Sequence, residues 1–425
     1  MKSSIAMETP ITCIVTIHGI GFQQPPQEGV AGYADDLHTH LSRVLNQNGK
    51  QMLSDDPDRQ WYQNGDSVPI YVQSVWPPTS LNREDGLKRL GSWDKNHKKV
   101  KGLGAPLVKG EARIAHIALV YSGLEGDGTE IEASVITGAM AAVSARHYSH
   151  INSLLDLLFL DTIQPLMQSF WEHPVHHDHV LRPSLRIRQD AGYQQRQGPP
   201  QHPSGFVALL RELENDVAAY VCHNLRRQRV RSFILDALSR LAFREDVAGI
   251  VLNTHSNGTV IGLDVVQELP PVAAKKIRAI LTAGSPLRKY VDLFHWGKYI
   301  TTVPKIEYWW NFWDAKDIVA DPLRPSAAWK RGDEPKEDQM VGIYQALDPN
   351  GNITPMLIND IEVNNIANGP VGGLQPHNYW DNEKEFIPKV IELLRDLGIL
   401  DEGMYNQVSS HHPSGPESQI PLERV

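Results

Sequence analysis

The stretch VLNTHSNGTVIGLDVV, residues 251–266, decides how the chain is read. A β-branched apolar run stops at Thr254-His255-Ser256-Asn257-Gly258 and resumes at once with helical spacing. A strand that enters a helix through one tight turn forces its central residue into a strained backbone, which only small neighbours two positions away accommodate. Ser256 stands at that centre, with Thr254 before it and Gly258 behind it. Its hydroxyl is expected above the carboxyl edge of a sheet, where open α/β sheets bind ligands. The new helix points its partly positive N-terminus at the same place. Gly262, one turn on, keeps that helix close to the sheet. The competing reading is a plain strand-to-helix loop whose serine caps the helix.

Working outward, short β-branched runs alternate with longer helix-period segments, the pattern of a mostly parallel sheet flanked by helices. Strands are predicted near residues 11–17, 68–75, 114–121, 247–253, 277–282, 305–312 and 356–363. Helices are predicted near 31–47, 131–148, 151–170, 206–226, 228–243, 258–268 and 383–396. One α/β domain over residues 1–402 is expected, with an inserted loop at 77–110 and inserted helices and loop at 126–205. The helices at 131–170 would either cap the sheet's edge or cover its face. The polar stretch 403–425 is expected to be a disordered tail.

Composition narrows the function. The chain has 425 residues, 41% hydrophobic and 21% charged, enough for one large domain with insertions. A net charge of −9 lacks the basic excess that nucleic acid would attract, so no nucleic-acid partner is expected. Two cysteines, Cys13 and Cys222, make neither a disulfide framework nor a thiolate metal cluster, which fits a reducing cytoplasm. No segment reaches the ~20 apolar residues of a membrane span, and no secretory signal is read at the start.

The turn at Ser256 resembles the nucleophile elbow G-x-S-x-G of the α/β-hydrolase superfamily, the serine esterases and lipases among them, with Thr254 in place of the first glycine. Other stretches extend the likeness. IVTIHGIGFQQP, carrying His18-Gly19-Ile20-Gly21, resembles the loop that completes the oxyanion hole in that family. AILTAGSPLRKY carries a Gly284-Ser285-Pro286-Leu287 turn similar to that of lipase-like members. Its task would be to shape the pocket wall, since Pro286 cannot supply the backbone N–H expected after a nucleophile. The loop after the strand at 305–312 resembles N-x-x-D-x-x-D-x-V, read from Asn311 to Val319.

The resemblance implies an α/β-hydrolase fold and a Ser-Asp-His triad in chain order. The nucleophile would be Ser256 and the acid Asp317, with Asp314 and Asp321 in the same loop as alternatives. The base would be His377, because only His411 and His412 in the tail otherwise follow the acid loop. Tyr379 and Trp380 would pack beneath it. The oxyanion donors would be the N–H groups of Asn257 and of Ile20, with Gly21 as alternate; His18, Gly19 and Gly258 would support them. The implied activity is hydrolysis of a small-molecule or lipid carboxylic ester through an acyl-enzyme, with no cofactor or metal. An amidase or thioesterase on the same triad, or an inactive binding protein of the same fold, are the alternatives. The cluster His173, His176, His177, Asp178, His179 is the one candidate for a metal, in a Pro-rich loop that lacks a rigid frame.

Overall fold

The computed structural model describes residues 10–19, 31–47, 49–57, 67–74, 87–90, 102–121, 224–288, 302–303, 306–317, 319–324, 344–347, 352–369 and 375–400. In chain order the elements are β1 (Ile11–Ile17), α1 (Asp35–Leu45), β2 (Leu53–Ser54), β3 (Ile70–Ser74), β4 (Leu87–Arg89), β5 (Ile114–Val120) and α2 (Asn224–Ala242). There follow β6 (Val247–His255), α3 (Asn257–Glu268), α4 (Pro271–Ala274), β7 (Ile277–Ala283), β8 (Thr302–Val303) and β9 (Tyr308–Trp313). The last are β10 (Gln345–Leu347), β11 (Ile353–Pro355), β12 (Ile358–Glu362), α5 (Asn365–Asn368), a 3-10 turn (Gln375–His377) and α6 (Phe386–Asp396).

The main sheet runs β12-β9-β7-β6-β1-β5-β3-β4, with β2 pairing the start of β5 beside β3. Every pairing in it is parallel except β3 with β4. This is the mostly parallel α/β sheet with flanking helices that the sequence pattern predicts. Its central strands are buried on both faces, and so read as nearly continuous apolar runs: all seven residues of β1 and of β5 are buried. Alternation still sorts their side chains. Cys13, Val15 and Ile17 of β1 pack with Phe233, Leu238 and Leu241 of α2 and with Val260 and Ile261 of α3. Ile14 packs on the other face with Leu37 and Leu41 of α1 and with Val390 and Leu394 of α6. Among the described residues α2 and α3 therefore cover one face and α1 and α6 the other, and the carboxyl ends of β1, β6, β7 and β9 are left side by side.

The aromatic run in β9 is split by the same alternation. Trp309 joins the α2/α3 side of the core, while Trp310 and Phe312 join the α1/α6 side. Of the stretch read as an inserted loop, residues 87–89 form the antiparallel edge strand β4, and Leu103 and Leu107 are buried in the core. The short strands β2, β8, β10 and β11 and the short helices α4 and α5 were not predicted, being too brief for periodicity to register. The predicted helices at 131–148 and 151–170, most of that at 206–226, the histidine cluster at 173–179 and the tail at 403–425 lie outside the described residues. Among the described residues no helix is long and apolar enough to cross a membrane, and no group of three ligating side chains could hold a metal ion.

Candidate active site

Ser256 occupies the turn between β6 and α3 with φ 53° and ψ −129°. Among the described residues it alone has a positive φ without being glycine, a conformation that costs about 1–3 kcal/mol and persists only where the surroundings enforce it. They do so here from three sides. The Ser256 N–H donates to Ala283 O at 2.9 Å, and the Ser256 carbonyl accepts from Thr259 N at 3.0 Å and Thr259 Oγ1 at 2.7 Å. Gly19 lies so close that a Cβ there would come within 2.2 Å of Ser256 Cβ. The capping reading is not what the structure shows, because the Ser256 hydroxyl takes no hydrogen bond from the helix.

The departure from glycine at Thr254 has a physical explanation. Thr254 donates from Oγ1 to Leu281 O at 2.8 Å, and its methyl faces Gly262, where an added Cβ would meet it at 2.8 Å. The small residue has moved to the helix side of the contact. Gly258 acts likewise against β1: a Cβ there would stand 2.4 Å from His18 O and 2.6 Å from Ile17 O. The start of α3 thereby presses against the end of β1, and buried Asn257 is its first residue.

Of the three candidate acids, the structure brings Asp317 to His377. His377 Nδ1 lies 2.8 Å from Asp317 Oδ2, and an ionised carboxylate can only accept, so Nδ1 carries the proton. Both side chains are buried. Asp317 also accepts from Val319 N–H on Oδ1 and from the Tyr379 hydroxyl on Oδ2, each at 2.9 Å. Burial would raise its pKa, but the adjacent His377 and these donors outweigh that, and the carboxyl is held below the usual range.

The carboxylate of Asp314 is occupied otherwise. Asp314 caps its own turn through Lys316 N–H at 2.8 Å and accepts from Asn365 N–H at 2.7 Å. Asp321 gives its carbonyl to Asn311 Nδ2 at 2.9 Å. That asparagine also donates to Asp360 Oδ1 at 2.8 Å, and Asp360 receives the N–H groups of Leu323 and Arg324. Arg288 Nε donates to Pro322 O at 2.6 Å. Asn311, read in the sequence only as the first residue of a motif, thus joins Asp360 and Arg288, which were not singled out there, in clamping the segment that follows Asp317.

His377 is carried beside Ser256 by the residue that precedes Ser256 and by the turn after β7. His255 Nε2 donates to His377 O at 2.9 Å, with the two rings 4.5 Å apart. Gly284 has φ +61°, and a Cβ there would meet His377 Cε1 at 2.6 Å. Any side chain would push the imidazole away. The next residue, Ser285, ties this turn to α3 by a 2.9 Å hydroxyl contact with Thr259 and is fully buried, a structural role. His377 Nε2 is buried without a hydrogen-bond partner among the described residues, and no hydrogen bond joins it to the Ser256 hydroxyl.

The other buried imidazoles of the site are neutral. His18 stacks on Tyr121 at 3.9 Å and donates from Nδ1 to Gly19 O at 2.7 Å, and burial pulls its pKa down to about 3. Burial, helped by His377, pulls His255 down to about 3 as well. The Cys13 thiol is pushed up to about 12 by burial and stays protonated, which leaves it inert. Gly284 and His255 are the site residues that sequence reasoning undervalued; both stood in quoted motifs, but which ring they touch is a three-dimensional fact. Ile20 and Gly21 lie outside the described residues.

No protein-family model matches the chain. No curated protein matches it either. Among solved structures it is similar to one titled "the putative cell surface hydrolase from Lactobacillus plantarum WCFS1", at 9% identity over 95% of this chain and 98% of that one, with a TM-score of 0.30. A likeness that slight bears no weight. The class is defined by the molecule's own features: an α/β protein with a strained serine at a strand–helix turn and a buried aspartate–histidine pair beside it.

Proposed function

We propose that the chain is a serine hydrolase acting on carboxylic esters through Ser256, His377 and Asp317. The observation that carries the reading is the buried hydrogen bond from His377 to Asp317, held next to the one non-glycine residue with positive φ among those described. Strain at a turn that places a hydroxyl at the sheet's carboxyl edge has a ready explanation in nucleophilic catalysis.

In this mechanism the Ser256 hydroxyl attacks the ester carbonyl as His377 Nε2 takes its proton, forming the Oγ–C bond. The absence of a hydrogen bond between these two atoms is compatible with a site that tightens on binding substrate. Asp317 holds the tautomer in which Nε2 is the free acceptor and stabilises the imidazolium. The oxyanion is held by the Asn257 N–H and by a donor from the Ile20 or Gly21 backbone. Collapse breaks the bond to the leaving alcohol, which receives its proton from His377. Water, deprotonated by the same imidazole, then releases the acid.

Esters are preferred over amides and thioesters because the superfamily that the turn resembles is rich in esterases and lipases. The test is hydrolysis of p-nitrophenyl esters of rising chain length by the wild type and by Ser256→Ala. Turnover by the wild type that disappears in the variant is expected; turnover that survives in the variant would remove Ser256 from the mechanism, and an inert wild type would favour a binding protein.

A further inference from the structure

Tyr379 is fully buried, yet its hydroxyl is not simply packed beneath the histidine. The phenol oxygen accepts from Asp314 N–H at 2.9 Å, which leaves its single proton for Asp317 Oδ2, also at 2.9 Å. That is the oxygen to which His377 Nδ1 donates at 2.8 Å. Two donors therefore share one carboxylate oxygen, while Val319 N–H holds the other. Burial, with the Asp317 charge adding to it, raises the phenol's pKa well above its ordinary value, so it remains a donor at every working pH.

We propose that Tyr379 is a positioning residue for the Asp317–His377 pair, its hydroxyl orienting the carboxylate and limiting how strongly Oδ2 holds the Nδ1 proton of His377. The proposal rests on the hydrolase reading. Charge given to the phenol is charge withheld from the imidazole, so the shared Oδ2 attracts the Nδ1 proton less than an undivided carboxylate oxygen would. It also restrains the carboxylate about χ2, a torsion with a broad, soft preference. Among the described residues, the titratable groups facing the pair are His255 from the end of β6, Asp314 from the acid loop, and Tyr379 itself; Lys316 of that loop is exposed. His255 stays neutral across the range concerned.

The experiment is the pH dependence of the rate at which a fluorophosphonate labels Ser256, and of ester kcat and KM, in the wild type, Tyr379→Phe and Trp380→Phe. His377 is titrated in parallel by NMR on protein carrying ring-labelled histidine. Tyr379→Phe is expected to move the acid limb and the His377 titration up by about half a unit to one unit. It is also expected to lower plateau kcat by about threefold to tenfold with little change in KM. Trp380→Phe, which alters packing in the same loop but no hydrogen bond to Asp317, should move neither titration. Should Tyr379→Phe not fold, 3-fluorotyrosine placed at position 379 is a stronger donor of the same shape, and the limb should move down instead.

Titrations left in place by both changes at Tyr379, or moved as far by Trp380→Phe, would overturn the proposal. Failure of the wild type to label would overturn the hydrolase reading, and the NMR titration would still decide whether the phenol governs His377.

Discussion

Replacing Ser256 by glycine and, separately, by alanine measures the strain that the turn between β6 and α3 holds. Neither variant keeps the hydroxyl, so catalysis plays no part in the comparison. Ser256 has φ 53° and ψ −129°, and alanine inherits the same conflict between Cβ and backbone. Glycine escapes it. A non-glycine residue in such a region costs about 1–3 kcal/mol, whereas glycine loses about 0.5–1 kcal/mol through the freedom of its unfolded chain. The difference makes Ser256→Gly more stable than Ser256→Ala by about 1 kcal/mol at mid-values and by at most about 2.5 kcal/mol, against the usual order for these two residues. Urea unfolding at pH 7, followed by tryptophan fluorescence, reads this as a higher midpoint for the glycine variant at unchanged slope. A glycine variant equal to or less stable than the alanine variant would mean that the turn is relaxed in solution. The inference from strain to function would then fail.

Gly284→Ala adds a Cβ that would stand 2.6 Å from His377 Cε1 at a residue with φ +61°. Displacement of the imidazole by about 1 Å should lower kcat/KM on the order of a hundredfold, and activity within about twofold of wild type would refute the contact. Asp317→Asn should lower kcat on the order of 10⁴-fold by disturbing the tautomer of His377. Asp314→Asn, whose carboxyl serves the backbone N–H groups of Lys316 and Asn365, should cost about 1–2 kcal/mol of stability and less than about tenfold in rate; equal losses from the two would leave the acid unassigned. Acid should destabilise the fold well above the carboxylate range. His18 and His255 have pKa values of about 3 in the folded protein against 6.5 for an unperturbed histidine, so their stabilisation is complete above 6.5 and is lost as pH falls towards 3. Each contributes about 1.4 kcal/mol per pH unit in that window, so a stability that stays flat from about pH 6.5 to about pH 5 would contradict their burial as neutral rings.

The strand at 11–17 and the helix at 228–243 were legible because apolar spacing alone fixes them. The strand Leu87–Arg89 was not, since Leu-Lys-Arg carries no period and owes its place to pairing with β3. Tertiary hydrogen bonding, not local propensity, decided it. In the site, the strained turn at Ser256 could be read because its backbone demands small neighbours in sequence. Thr254 strained that rule until the structure showed Gly262 supplying the space from the helix that packs against it. Among Asp314, Asp317 and Asp321 the resemblance had already favoured Asp317; what only the fold adds is which donors reach each carboxylate of that one loop. The same holds for Tyr379: its sequence position predicts packing, and only the convergence of two donors on one carboxylate oxygen shows what the hydroxyl does.

The most direct measurement is to treat the folded wild type with a fluorophosphonate, digest it, and locate the adduct by mass spectrometry, with Ser256→Ala as control. A single phosphonyl adduct on the peptide containing Ser256, absent from the variant and slowed by Asp317→Asn, is the expected result. No adduct on folded protein, or an adduct on another residue that persists in Ser256→Ala, would contradict the assignment of Ser256 as the nucleophile.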